Sequence, residues 1–584
     1  CRRPRALARA LDDARSALPS PTTATGRRGL LRWAGAVLLL IPLGFLALFF
    51  FYPLLSIFGV SLAPEGQLDL SGFAALVTTP YYRDTLLFTI GQAALSTLLT
   101  IALALPGAYV FARYEFRGKS LLLSLATLPF VLPTVVVAAA FSALIGPRGA
   151  LNQALMSLFG WSQPPIELER TLAIILIVHV FYNYAIALRM ISTFWSTQSP
   201  RIDEAAKVLG AHGWRLWWSV RLPLLRPAIL AAAVLVFIFT FTSFGVVLIL
   251  GGPRFATLEV EIYRQATSLF NLQVAAALSI VQIGLMFAML IVYTRLQRQS
   301  ATDLQSSGAV ARPIRTPRQR AFVVVNLLVM TSMLFTPLLA LVLRSLTAGS
   351  EGVTLRYYEL LATQTRGSVL FVPPLQAVGN SLLFAALTTV LASGLGLLAA
   401  YLLNQRGRGA RMARWLDPLF MLPLATSAVT LGFGFIIALD EPPLNLRTSP
   451  LLIPLAHTLV ALPFVVRSVL PALRAISPSL REAASVMGAS PWRVWRFIDF
   501  PLISRGLTVG AVFAFTVSMG EFGAALFVAR PDTPTMPVVI FRLLGQPGAT
   551  NYGQALALST LLMGVCALSF VVIERMRQLG MGEF

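Results

Sequence analysis

The residues able to do chemistry in this chain are few, and they assemble into no catalytic set. The three histidines, His179, His212 and His457, show no metal-ligand spacing. Gly118-Lys119-Ser120 looks like the end of a phosphate-binding loop, but Arg113 stands where that loop needs its first glycine. Two cysteines, Cys1 and Cys566, make no disulfide framework. The expectation is therefore a chain without catalytic residues, without a metal and without a cofactor of its own. What remains are polar groups suited to binding. Glu-Ala-Ala followed by glycine occurs twice, as Glu204-Ala205-Ala206 with Gly210 and as Glu482-Ala483-Ala484 with Gly488. Inside long apolar stretches lie Thr240, Thr242 and Ser243, and again Thr516, Ser518 and Glu521. An ionisable group there is costly and faces a cavity or the bundle interior, so these six are expected along a passage through the bundle. Packing between helices, helped by Gly245, Gly520 and Gly523, is the competing reading. His179 and His457 each lie ten residues before an arginine, Arg189 and Arg467. For them helix packing is favoured over a place in the passage, with the arginine snorkelling to the membrane surface.

The elements that must position these groups follow from composition. Of 584 residues, 57% are hydrophobic and only 12% charged, and the mean hydropathy is +0.76. A soluble protein of this length needs polar surfaces for several domains, and the polar residues are too few. A soluble enzyme, a disordered chain and a secreted disulfide scaffold are excluded. The fold class is all-α, a polytopic membrane protein. Twelve apolar stretches are long enough to cross about 30 Å of hydrocarbon as helices. In the first half they lie near 34–60, 84–112, 120–146, 170–192, 228–251 and 272–295. In the second they lie near 321–345, 376–403, 415–439, 451–472, 507–530 and 552–573.

The net charge of +22 comes almost wholly from arginine, since Lys119 and Lys207 are the only lysines. With twelve spans, the arginine-rich segments at 1–32, 113–119, 295–320, 404–414 and 575–577 all fall on one side. The positive-inside rule makes that side the cytoplasm, with both termini there. Loops at 63–80, 252–271 and 346–375 fall outside. Charges at membrane ends are explained by topology and anionic lipid, so nucleic acid is not an expected partner. No separate signal peptide is expected, because the first apolar run is too long for one and lacks a cleavage site. Residues 1–30 read as a basic cytoplasmic tail.

The chain also repeats itself. Ser199 to Pro223 matches Ser477 to Pro501 at 12 of 25 positions, without a gap, at an offset of 278 residues. The same offset carries His179 onto His457, Arg189 onto Arg467 and Phe244-Gly245 onto Phe522-Gly523. Upstream, Leu132-Pro133 is paired with Leu422-Pro423 at 290. The reading is two homologous domains of six spans, 31–296 and 321–584, joined by a cytoplasmic linker at 297–320. Six is even, so both halves enter on the same side and the repeat is parallel.

Between the fourth and fifth spans of each half lies the best-matched segment, 199–227 and 477–505. Ser199-Pro200 and Ser477-Pro478 offer helix starts, and Gly210 and Gly488 suit left-handed helix ends. The tryptophans Trp214, Trp217 and Trp218 recur at helical spacing. Pro223 and Pro227, and Pro501 in the second half, are expected to stop that second helix before the next span. Glu204-Ala205-Ala206-Lys207-Val208-Leu209-Gly210 with Leu222-Pro223, and Glu482-Ala483-Ala484-Ser485-Val486-Met487-Gly488 with Phe500-Pro501, resemble the EAA motif of ABC importer permeases. Phe500 departs from the usual leucine. The resemblance covers nearly the whole chain after residue 30 and implies a type I ABC importer permease fold. It implies that each short helix docks on one of two cytoplasmic ATPase subunits, which hydrolyse the ATP. Glu204 and Glu482 would meet basic groups there, Ala205, Ala206, Ala483 and Ala484 would allow close approach, Gly210 and Gly488 would aim the helix, and Pro223 and Pro501 would close the motif. It also implies a periplasmic or lipid-anchored substrate-binding protein, in a bacterial or archaeal cytoplasmic membrane.

Fused double permeases of this kind resemble the thiamine and ferric-iron importers. Gly251-Gly252-Pro253 with Thr257, Glu259, Glu261, Ile262, Tyr263 and Gln265 is most similar to the thiamine branch. Thiamine is thus the favoured substrate. Ferric iron or another small solute is the alternative, and an ion-coupled secondary transporter is a more distant one.

Overall fold

A computed structural model describes residues 38–302 apart from Glu65, and 311–347, 352–364, 369–405, 409–440 and 444–579. The expected basic tail at 1–30, the middle of the linker, Arg406, Arg408 and the last five residues lie outside the described residues. A backbone in lipid must satisfy its own hydrogen bonds, and this chain does so almost entirely with helices. Among the described residues, eleven helical segments of 24 to 34 residues are apolar enough to span a membrane. A bent pair, Ala410–Ala425 and Ala428–Ala438, meets at 95° and makes a twelfth segment.

The two halves are interleaved. The first span, Leu38–Leu62, packs against Ala428–Ala438 of the second half, where a side chain added at Gly434 would meet Pro53 at 3.1 Å. Reciprocally, Pro317–Thr347, which opens the second half, packs against Thr134–Ile145 of the first. Within each half the second span lies along the fourth. Gly107 sits under Tyr184 and Leu188, and Gly396 under Val465, so that backbones approach closely where small residues allow it.

Three expectations about where helices break are corrected, and one pairing between the halves with them. The span near 120–146 is not continuous: a short apolar segment, Lys119–Val131, ends at Leu132-Pro133, and the helix Thr134–Ile145 follows, with Ala150–Phe159 beyond a turn. The matching break in the second half falls at Thr426-Ser427. Pro133 and Ser427 hold the same place before the following helix, an offset of 294 residues, and that offset pairs Leu128-Pro129 with Leu422-Pro423. The pairing of Leu132-Pro133 with Leu422-Pro423 is thus one helical turn out. The fifth spans near 228–251 and 507–530 are also interrupted, after Phe241 and after Gly520. Third, Pro223, Pro227 and Pro501 stop nothing. Gly213–Phe241 and Pro491–Gly520 are continuous, with one wide π-turn each at Trp217–Arg221 and Trp495–Asp499. A proline lacks the N–H for an α-helical bond and crowds the preceding turn, and a π-turn placed just before it absorbs both faults without ending the helix.

Candidate functional site: two braced loops and a cavity between the halves

The repeated Glu-Ala-Ala segments form short helices, Pro200–Val208 and Pro478–Val486. Ser199 accepts a hydrogen bond from the Arg201 N–H, as a cap does. Gly210 and Gly488 have φ of +87° and +81°. The N–H groups of Ala211 and Ala489 reach back to the carbonyls of Ala206 and Ala484 at 2.9 and 3.0 Å, which closes each helix in the Schellman manner. Nothing crowds either glycine, so Gly210→Ala should meet only the left-handed backbone penalty of about 1–2 kcal/mol. A thermal shift of the purified chain checks this, and a loss of more than about 10 °C would show a steric role the loop does not display. Val208 and Leu209, and Val486 and Met487, are more than four-fifths exposed at the tips of these helices. An apolar tip repeated in both halves marks a contact surface. Sequence reasoning missed these four; the signal was an apolar pair just before each glycine.

An ion pair ties each short helix to the π-turn that follows. In the first half the Arg221 guanidinium donates to Asp203 Oδ2 at 2.9 and 3.2 Å. In the second, Arg481 Nε donates to Asp499 Oδ1 at 2.7 Å. Asp203 aligns with Arg481 and Arg221 with Asp499 at the 278-residue offset, so the duplicated brace is kept with its charges exchanged. All four side chains are largely shielded, and a charged hydrogen bond of this kind contributes about 1.5–3 kcal/mol. Beside the first brace lies Tyr114, whose phenol burial and the neighbouring Tyr109 push up to about 12; it stays neutral and serves as packing.

The breaks in the third and fifth spans of both halves converge on one cavity of about 460 Å³. Phe244 and Phe522, equivalent residues, stack at 5.6 Å where the halves meet. Each is flanked by an equivalent ring, Tyr263 at 5.6 Å and Phe541 at 5.4 Å. The glycines after them permit close approach: a Cβ at Gly245 would lie 2.3 Å from Thr134 Oγ1, and one at Gly523 would lie 3.2 Å from the Ala428 side chain. Of the residues expected along the passage, Thr242, Ser243, Thr516 and Glu521 line this cavity. Thr240 and Ser518 do not. Thr240 is fully buried and bonds the Val236 carbonyl of its own helix at 2.9 Å, while Ser518 Oγ meets His457 Nδ1 of a neighbouring helix at 2.7 Å.

The histidines divide: His457 does not line the cavity and follows the packing alternative, whereas His179 lines the cavity and packs as well. His179 bridges Ser96 at 3.0 Å and Ser243 at 2.7 Å, which ties the second, fourth and fifth spans together. His457 Nε2 lies 3.3 Å from Glu521 Oε2, in contact but not aligned as a hydrogen bond. Both Glu521 oxygens accept N–H groups, of Ala524 and Ala525, at 2.8 Å, so this carboxylate also caps the helix resuming after the break.

A second carboxylate, Glu259, belongs to the outer loop at 252–271 and not to the six residues expected along the passage. It is 1% exposed, lines the same cavity and accepts a hydrogen bond from Ser427 Oγ at 2.6 Å, and Gln282 bonds its other oxygen. The outer loop folds inward as the helix Leu258–Thr267, and Glu259 thereby hooks the broken helix of the opposite half. Neither carboxylate is repeated. Ser243 stands at the place of Glu521 in the first half, and Pro537 at the place of Glu259 in the second. The symmetric residues build the frame, and the unsymmetric ones supply its charge.

Two six-helix repeats meeting at a cavity lined by aromatic and polar side chains, each with a braced helix outside the spans, define a membrane transport component. A family profile described as binding-protein-dependent transport system inner membrane component matches residues 101–301 and 392–576, once in each half. The chain belongs to this family, a multi-pass inner-membrane component of transport systems. It is 27% identical over 550 residues to a thiamine transport system permease protein of Haemophilus influenzae, covering 93% of this chain and 96% of that one. It is 29% identical over 495 residues to the thiamine permease protein of Brucella abortus strain 2308, covering 83% and 86%. A probable ABC transporter permease of Sinorhizobium fredii is 26% identical over 548 residues, covering 90% and 94%.

Proposed function

We propose that this chain is the membrane pathway of an ATP-driven importer whose substrate is an organic cation, with thiamine favoured. The observation that carries the substrate class is the lining of the cavity. Two carboxylates, Glu259 and Glu521, face it with no lysine or arginine among the described lining residues, in a chain of net charge +22. Six phenylalanines complete the wall: Phe130, Phe239, Phe244, Phe464, Phe513 and Phe522. Carboxylates and aromatic faces together attract a cation that carries rings of its own. Ferric iron, the alternative, seeks a shell of oxygen ligands, which phenylalanine does not offer. An asymmetric molecule lying on a pseudo-two-fold axis also needs polar groups that the two halves do not share, and that is where Glu259 and Glu521 stand.

In this reading the arginine-rich side is cytoplasmic, with both termini there, in a bacterial or archaeal membrane. The helices Pro200–Val208 and Pro478–Val486 dock on two ATPase subunits, through the Glu-Ala-Ala surfaces and the apolar tips. ATP binding draws the subunits together and moves both loops. The braces pass that motion to the fifth spans, whose breaks border the cavity. A periplasmic or lipid-anchored binding protein delivers the substrate from the opposite side. Docking helices of this kind speak against an ion-coupled secondary transporter, which has no use for them.

The test is uptake of labelled thiamine into proteoliposomes containing this chain, its ATPase and its binding protein. Uptake that requires ATP, and that Glu259→Gln lowers about tenfold or more, is the expected result. Uptake driven by an ion gradient without ATP would overturn the reading. A second outcome is specific to the apolar tips: Leu209→Asp with Met487→Asp should abolish co-purification with the ATPase while the melting temperature stays within about 2 °C.

A further inference from the structure

The two docking helices are braced alike but are not offered to a partner alike. At the first, Arg312 of the linker pairs with the Glu204 carboxylate. At the second, Glu482 is exposed and pairs with no cation among the described residues. Both Glu204 and Arg312 are more than half exposed, and exposed ion pairs hold little by themselves. Packing delivers the arginine instead. Arg312-Pro313 lies in a two-residue parallel pairing with Tyr114-Glu115. Ile314 and Leu327 pack on a small buried cluster of Val110, Tyr114 and Val323. Gln319 Oε1 accepts the N–H groups of Arg315 and Thr316 at 3.0 and 3.2 Å, which fixes the turn into the next span. Arg312 is thus held beside Glu204 by the fold, at an effective concentration that a separate subunit's cation must compete against. Around it the end of the second span, the first docking helix and the linker enclose a pocket of about 430 Å³. Arg113, Lys207, Arg221, Arg312 and Arg315 line that pocket against only Asp203 and Glu204. The first surface is therefore net positive, whereas the second presents an unpaired carboxylate.

We infer that the linker silences Glu204, so that charge-dependent docking of the ATPase rests on Glu482, and the duplicated motif acts as two unlike docking surfaces. This deepens the docking proposal and depends on it. A cation on the ATPase meets an unpaired carboxylate in the second half. In the first half it meets a carboxylate already neutralised in cis and ringed by arginines, so apolar contact at Val208 and Leu209 must carry that joint.

The experiment uses the full chain purified with its ATPase, and reads retention of the ATPase against sodium chloride concentration. Glu482→Gln should weaken retention about tenfold, as does removal of one partner from a charge pair that docking buries. Glu204→Gln should change it less than twofold. Arg312→Gln should make Glu204 count: in that background Glu204→Gln should weaken retention as Glu482→Gln does. All three side chains are exposed, and unchanged melting temperatures check that the variants fold. If Glu204→Gln weakens retention as much as Glu482→Gln, or more, while Arg312 is in place, the inequivalence is wrong and docking stands. If neither glutamate variant weakens retention while Leu209→Asp with Met487→Asp abolishes it, charge does not hold either joint and the inference fails; if none of these changes weakens it, the docking proposal itself fails.

Discussion

Asp203→Arg is expected to uncouple this transporter, and Asp203→Arg with Arg221→Asp is expected to restore it. The single change places two cations against each other inside a largely shielded contact. Breaking such a pair costs about 3–5 kcal/mol, enough to free the docking helix from the fifth span. ATP-driven uptake should fall at least about a hundredfold, and ATP hydrolysis should lose its response to substrate-loaded binding protein. The double change reproduces the polarity that Arg481 and Asp499 already use in the other half. Recovery to within about threefold of wild type is the expected result; a double variant no better than the worse single would mean the brace is not interchangeable. No ordinary pair permits so direct a control, because here the duplication has already run the exchange once.

The second large effect lies at Glu521. Glu521→Leu removes the acceptor of two buried N–H groups, on Ala524 and Ala525, and the charge beside His457. Each orphaned donor costs about 1–3 kcal/mol, so the helix after the break should loosen and uptake should disappear. Glu521→Gln keeps an acceptor for one N–H and loses the charge, and should fold with a modest drop in melting temperature but transport at least about tenfold less. The comparison with Glu259→Gln separates the two duties of Glu521. Glu259 caps no helix, so a shared transport defect in both glutamine variants points to cation attraction in the cavity. Normal uptake by Glu521→Gln would leave capping as its only role.

Much of this was legible in the residues. Apolar runs exceeding the membrane thickness call for helices whatever their neighbours do, because lipid offers the backbone no other partner. Ungapped identity across Ser199–Pro223 and Ser477–Pro501 establishes a duplication without any coordinates. The left-handed glycines Gly210 and Gly488 were readable because only glycine takes that φ at no cost. Other features were out of reach. Apolar periodicity is the same on both sides of a helix break, so Leu132-Pro133, Thr242–Phe244 and Glu521-Phe522 pass within a hydrophobic run as continuous span. Prolines at 223 and 501 read as stops because the π-turn that accommodates them leaves no mark in composition.

By itself, then, the sequence determined the solvent, the helices, the duplication and the two loops, since each follows from local chemistry or from self-comparison. Tertiary structure alone decided which polar residues meet. Thr240 and Ser518 look no different in the chain from Thr242 and Thr516, yet Thr240 turns back to its own helix and Ser518 to His457 of a neighbouring one, while the other pair faces the cavity. Glu259 reads as part of an outer loop until that loop folds inward to reach Ser427 of the opposite half. Arg312 reads as one more linker arginine until Glu204 is found beside it, 108 residues away in the chain. Burial, pairing and distance are properties of the packed chain, and no spacing along it records them.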